Sequence, residues 1–525
     1  MIVDTTEVYD TAWQWPIYCN HEQLLITLRE AVSRSARLDR GVLASLTQPI
    51  ECCDALRIFT DSKGPGERFF WEQPSEQSVL VGVGTATTIE THGITRFTTA
   101  AAAWRVLLHE AVIRYSPGCS RGVSLPPPSP LPPSVPPLNH SSGPLLFCGF
   151  AFDPLCSHTQ LWEGFPDGLL VLPHLMLSCH AGRATLTINK IVQASDDIEH
   201  DAEEIAVSVM RLREGGGTDG GRGVSLPPPS SLPPLQPAER PGSVLQVPLS
   251  AQDLLSAAEW MEQVAETVKM IHHGAYEKVV LARGVRVTPA SPMGAFDVSA
   301  TLNRLRLSYP GASIFAMQRG ERYFVGATPE RLIRAQNGQI QTMALAGSAP
   351  RGTTEEEDRR IGIELLQSKK NKAEHAIVVA MMREALANLC TRLWVADTPQ
   401  LLRLKNIQHL ETPIVGELIP GRCILEAIEG LHPTPAVGGF PRQAALEAIR
   451  AGERLDRGWY AGPIGWVGAN GNGEFAVALR SALIDGAEAT LFAGCGIVAD
   501  SDPQSEYAES CLKLQVMLRG LGGED

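Results

Sequence analysis

The chain is 525 residues long, 44% hydrophobic and 20% charged, which describes an ordinary globular protein with room for several average domains. Its formal net charge of −13 argues against nucleic acid or an anionic membrane surface as the partner. An anionic small molecule would need a local cluster of bases, or a metal, to be held. Met1-Ile-Val-Asp-Thr-Thr-Glu carries acids early, so no signal or transit peptide is expected, and no uncharged apolar run approaches membrane-spanning length. The 11 cysteines include the adjacent pair Cys52-Cys53 but no C-x-x-C spacing. That pattern points to reduced thiols in a cytoplasmic protein rather than to disulfides or a structural zinc site.

Leu24 to Ala36 has the periodicity of an amphipathic helix. Ser78-Val-Leu-Val-Gly-Val-Gly84-Thr reads as a strand closed by a glycine turn; Gly82 and Gly84 lack the third glycine and the acidic partner of a dinucleotide loop. Arg121-Gly-Val-Ser-Leu-Pro-Pro-Pro-Ser129 opens a proline-rich tract, and nearly the same words return at Arg222 to Ser230. Such sequence cannot bury a core and reads as a repeated insertion in surface loops, with docking to a proline-recognition domain as the alternative. Between the tracts, Pro144 to Phe152, Leu169 to Leu177 and Arg183 to Asn189 read as strands, and Asp197 to Arg213 as an acidic helix.

From about Leu254 the texture changes: low complexity disappears and glycines punctuate short apolar strands. Ala251 to His272 is expected to be helical, Lys278 to Arg283 a strand, and Glu321 to Glu330 another with its polar end at Glu330. Thr353-Thr-Glu-Glu-Glu357 carries capping signals for a helix start. A further helix is expected from Asn371 to Cys390. Gly462 to Gly468 and Glu474 to Ile484 pair as a hairpin across Asn470-Gly-Asn-Gly473. This succession of hairpins predicts antiparallel sheet with helices alongside, an α+β fold rather than a doubly wound parallel one.

The closing stretch, Leu491-Phe-Ala-Gly-Cys-Gly-Ile-Val-Ala-Asp500, is an apolar strand entering a glycine turn, followed by a helix. Glu506, Glu509 and Lys513 recur at helical spacing, which puts two carboxylates and a lysine on one face beside the bare backbone of Gly494 and Gly496. An acidic and basic helix face is by itself commonly just solvated. With the glycines it suggests a hard metal ion next to an anionic ligand.

Seven motifs follow one another in fixed order. They are Glu277-Lys278-Val-Val-Leu-Ala-Arg283, Ala327-Thr-Pro-Glu330, Leu345-Ala-Gly347-Ser348-Ala-Pro, Lys372-Ala-Glu374-His375, His409-Leu-Glu-Thr-Pro, His432-Pro-Thr-Pro-Ala436-Val-Gly-Gly, and the closing stretch. In this order they resemble the chorismate-utilising enzymes, densely over residues 255–520 and loosely before that. The resemblance implies a large α+β fold with antiparallel sheets packed centrally and helices outside. It also implies an N-terminal part of the same fold (1–119, continued at 139–213) and a chorismate-binding catalytic domain (250–525); the Pro-rich insertion (120–138) and the Gly/Pro-rich insertion or linker (214–243) do not belong to the family pattern and are expected to loop out.

Within that family, lysine at 278 is the type expected where water is the nucleophile; ammonia-adding members carry glutamine there. Together with Ala436 this resembles isochorismate synthases, with salicylate synthases as the nearest alternative and a non-catalytic chorismate-binding scaffold as another. The resemblance implies Lys278 as general base and Glu330 as general acid, each needing a pKa moved by burial or neighbours. It implies Glu374 and Glu509 as direct Mg²⁺ ligands and Glu506 as a nearby carboxylate. Arg480 and Lys513 would hold the enolpyruvyl carboxylate. Gly347, Ser348, Gly494 and Gly496 would offer donors, and His409, Ala436, Tyr460, Leu479 and Phe492 would line the pocket. No glutamine amidotransferase subunit is expected, and the protein is expected to be a monomer. The pathway that isochorismate would enter (quinone, siderophore or salicylate) is left open.

Overall fold

The computed structural model describes residues 19–62, 67–116, 143–156, 159–214, 248–289, 294–403 and 407–523; both proline-rich tracts lie outside these. Its organising strand is Gly168–His180. One edge pairs along its whole length with Ser78–Thr91. The other edge is shared: its first residues pair with Leu145–Phe150 and its last with Arg183–Val192. Two arms of sheet therefore leave the same strand.

One arm continues from Ser78–Thr91 through Arg68–Gln73, Ser313–Arg319, Arg322–Thr328 and Ser481–Asp485 to Glu488–Ile497 and Lys278–Pro289. The other runs from Leu145–Phe150 through Pro463–Gly468, Gly473–Val477, Arg331–Gln336 and Gln339–Pro350 to Ile407–Leu418. Among the described residues every pairing is antiparallel except that of Val42–Ile50 with Val112–Tyr115. Antiparallel sheet with helices outside it is the α+β architecture expected. A core rich in aromatics, including Phe69, Phe147, Phe150, Trp459 and Phe475, draws on strands of both arms. Among the described residues no helix is long and apolar enough to cross a membrane, and ten cysteines carry free thiols.

Local chemistry explains the helices that matter. Asn20 caps His21–Leu38 by accepting from the Gln23 N–H, and Leu24, Leu28 and Ala31 form its buried stripe. In Pro503–Leu521, Asp502 accepts from the Ser505 N–H, Pro503 occupies the first turn, and Gly522 ends the helix at φ +97°. Thr353 and Thr354 share the cap of Glu355–Gln367: Glu357 donates its N–H to the Thr354 hydroxyl and accepts from the Thr353 N–H.

Several boundaries differ from expectation. Residues 249–253 are an edge strand on Val285–Pro289, and the helix starts only at Ala257, behind a Ser256/Glu259 capping box. The strand at Ser78 runs on to Thr91 through Gly84, whose φ of +67° precedes a register shift between Thr85 and Thr87. The run Glu474 to Ile484 is two strands, broken where Arg480 takes φ +50°. The helix expected to reach Cys390 is Lys369–Ala387, and Cys390 opens a strand. Gly494 and Gly496 lie within the paired strand Glu488–Ile497 and not in a turn.

Candidate active site

The two arms end facing one another across a cavity of about 660 Å³. Lys278, the first residue of its strand, enters from one wall. Its aliphatic stem lies close over Gly496 of the neighbouring strand: a Cβ at Gly496 would stand 2.7 Å from Lys278 Cε. A Cβ at Gly494 would stand 2.9 Å from the Leu281 carbonyl and 3.2 Å from the Tyr460 hydroxyl. Close approach of the Leu281 backbone thus requires glycine at 494, while Gly496 gives room to the Lys278 side chain.

Glu330, expected as the last residue of its strand, sits beyond the strand end in the two-residue connection between Arg322–Thr328 and Arg331–Gln336. Its N–H donates to the Thr328 hydroxyl, and its carbonyl accepts from the Val477 N–H. Lys278 and Glu330 keep some exposure because they open on the cavity, while protein encloses them otherwise. Burial lowers the Lys278 pKa, with the Lys513 charge adding to the effect and Glu374 and Glu330 opposing it. Burial raises that of Glu330 against the pull of Arg480, Lys278 and Lys513. Arg480 and Leu479 line the same cavity, and the Arg480 carbonyl anchors the Ala327 N–H.

The opposite wall is built on a bulge. Gly347, at φ +77°, takes up the register shift between Ala346 and Ser348 and brings Ser348 directly across from His409. The Ser348 hydroxyl and His409 Nδ1 are 2.7 Å apart. Burial, and then the charges of Lys278 and Lys513, lower the His409 pKa. Ala436 and Tyr460 also line the cavity.

Helix Pro503–Leu521 delivers Glu506, Glu509 and Lys513 to the cavity, as their spacing implies. Lys513 Nζ lies 2.6 Å from Glu509 and donates to the Gly494 carbonyl at 2.7 Å. Glu506 accepts from the Ser501 hydroxyl at 2.7 Å, and burial raises its pKa. Ligand atoms of Glu506, Glu509 and Cys495 all lie within 4.8 Å of one another. Two carboxylates beside open cavity suit a hard cation that keeps water and a ligand oxygen; a thiol does not suit Mg²⁺, and burial pushes that of Cys495 up to about 12. The donor set therefore fits Mg²⁺ through the glutamates.

Two expected residues stand apart. Glu374 is exposed on helix Lys369–Ala387 and outside the cavity lining, yet among charged groups it acts most strongly on Lys278. Phe492 is 1% exposed and packs between Tyr460 and Trp162, at centroid distances of 5.3 and 5.4 Å, so it backs the pocket wall rather than lining it. Cys495 and Arg457 were not singled out by the sequence. A cysteine in an apolar run reads as core, and an arginine in Leu455-Asp-Arg457-Gly reads as loop; only the fold brings them to the site.

The chain matches the model of the family described as chorismate binding enzyme over residues 28–123, 135–223 and 230–522. It belongs to that family. The isochorismate synthase MenF of Bacillus subtilis is 36% identical over 94% of this chain and 96% of its own. The salicylate biosynthesis isochorismate synthase of Pseudomonas aeruginosa is 36% identical over 95% of each. The solved structure of MenF, the menaquinone-specific isochorismate synthase of Escherichia coli, matches with a TM-score of 0.67 at 26% identity, over 94% of this chain and 100% of that one. Anthranilate synthase component I of Streptococcus pneumoniae, at 22% identity over 72% of this chain and 81% of that one, shares the fold with a TM-score of 0.54.

Proposed function

We propose that the protein is a Mg²⁺-dependent isochorismate synthase. The carrying observation is the placement of Lys278 and Glu330 in one enclosed cavity that shifts their acidities in opposite directions. The names of the two relatives matched over nearly their whole length support it.

Lys278, as the neutral amine, takes a proton from water as the water oxygen bonds to C2 of chorismate. The ring double bonds shift, the C4–O bond breaks, and Glu330 gives its proton to the departing hydroxyl. One proton is gained by Lys278 and one lost by Glu330, so resetting the site needs only their return. Arg480 and Lys513 meet the enolpyruvyl carboxylate, and Ser348 and His409 face the substrate from the other wall. Glu509 and Glu374 would hold Mg²⁺ directly with Glu506 beside it; the ion would bind the ring carboxylate and act as a Lewis acid. Glu374 stands on the helix face that packs on Gly347 through Asn371, and its charge already reaches Lys278.

Incubation of the protein with chorismate, with and without Mg²⁺, followed by chromatography of the products, tests the reading. Isochorismate formed only with the metal is the expected result. Salicylate together with pyruvate would move the protein to the salicylate synthases, and binding without turnover would make it a scaffold.

A further inference from the structure

Strand Lys278–Pro289 is paired without a break with Glu488–Ile497 along one edge, from Val279 to Val287. Its other edge is paired in pieces. Gly439 and Phe440 pair with Val279 and Lys278, and Leu249–Asp253 pairs with 285–289. Between the two pieces a stretch of backbone would be left without a strand partner in the protein interior, a costly arrangement.

Backbone closes its two ends: the Val280 N–H donates to the Gly438 carbonyl and the Gly284 carbonyl accepts from the Leu254 N–H, each at 3.0 Å. Side chains fill the middle. The Glu453 carboxylate accepts from the Ala282 N–H at 2.8 Å. Arg457 donates to the Val280 carbonyl at 2.6 Å and, from its other terminal nitrogen, to the Val437 carbonyl at 3.1 Å. The two side chains, 2% and 4% exposed, are joined by two bonds, at 2.6 and 2.7 Å. The guanidinium also lies 4.3 Å from the centroid of Phe152. Every nitrogen of the fork is therefore engaged, and its reach spans two segments that both form the cavity. One is the strand carrying Lys278; the other is the loop carrying Ala436, whose neighbour is Val437. A lysine offers neither the planar fork nor the span.

Resting on the proposed function, we infer that Arg457 and Glu453 are positioning residues for the reaction. They lock the Lys278 strand to the Ala436 loop, and so fix the distance from the general base to the substrate ring. They touch neither reacting atom.

The test compares wild type with Arg457→Lys and Glu453→Gln. The expected result is a kcat reduced by about 100-fold, the size of loss that a displacement of about 1 Å can cause. The dissociation constant for chorismate should stay within about threefold, and the unfolding temperature should show that each variant is folded. Hydrogen–deuterium exchange should quicken in the peptides covering 278–284 and 434–440 and stay unchanged in the arm strands around 339–350. Unaltered kcat in both folded variants would overturn the inference, as would a loss confined to chorismate affinity. If Arg457→Lys does not fold, Glu453→Gln decides, because it keeps the size of the side chain and removes only the charge. If the wild type turns over no chorismate, the proposed function fails instead. The exchange measurement then judges the lock by itself: unchanged protection of 278–284 would refute it.

Discussion

In the proposed reaction two side chains carry the chemistry, and burial shifts the pKa of both. At low pH Lys278 and Glu330 are both protonated and no base is available; at high pH both have lost their protons and no acid remains. The rate should therefore be bell-shaped in pH. Lowering the lysine and raising the glutamate brings the two pKa values toward each other, which enlarges the population holding a neutral amine and a protonated carboxyl together. A profile that rose monotonically to high pH would deny Glu330 the role of acid. Lys278→Ala should lower kcat by about 10²–10⁴-fold with chorismate affinity little changed. Gly496→Ala tests the position of the amine: the added methyl meets Lys278 Cε at 2.7 Å, and the flexible lysine must yield. Turnover should fall by tenfold or more, while thermal unfolding shifts little because the displaced atoms are the end of a mobile side chain.

At the scale of elements, helix Pro503–Leu521 holds three site residues in register, and its first turn depends on one cap. Asp502→Ala removes the acceptor for the Ser505 N–H and should cost about 1 kcal/mol in chemical unfolding. Because Glu506, which the proposed function sets beside Mg²⁺, stands in that same turn, a Mg²⁺ titration of activity should shift to higher concentration. This helix, its face and its partners were legible in the sequence, since spacing alone aligns Glu506, Glu509 and Lys513. The helices at His21–Leu38 and Ile198–Glu214 were legible for the same reason. Other features were not. The edge strand at Leu249–Asp253 is polar and exists because Val285–Pro289 offers it a partner, a cause that no local pattern records. The break at Arg480 has no glycine or proline to announce it. Gly494 and Gly496 look like a turn in sequence; in the fold they give room to Lys278 and Tyr460. Arg457 and Glu453 are four residues apart in a loop, and their meaning depends on a strand edge about 175 residues away in sequence.

Across the molecule, the two arms are joined by buried charge. Arg334 is 1% exposed and donates to Glu474, itself fully buried, and to Glu76 at 2.7 Å, while Gln73 donates to Glu474 as well. Gln73 comes from the arm that ends at Lys278, whereas Arg334 and Glu474 belong to the other. Removing one partner leaves a charge without compensation in the interior, so Arg334→Met should lose about 3–5 kcal/mol in denaturant unfolding. Replacing both Arg334 and Glu474 by apolar residues should cost less than the single change.

The shared strand at Gly168–His180 also bears on how the protein is made. Leu145–Phe150 can pair with that strand soon after both leave the ribosome, but its other edge waits for Pro463–Gly468, about 320 residues later in the chain. At about 5–20 residues per second, synthesis leaves the apolar edge Leu145-Leu-Phe-Cys-Gly-Phe150 open for roughly 15–60 s. Arg68–Gln73 likewise waits for Ser313–Arg319. The nascent N-terminal half therefore carries two unfinished sheet edges through much of translation. Ribosome-bound chains halted before residue 463 should bind a hydrophobic-surface chaperone, and chains extended past Leu521 should release it.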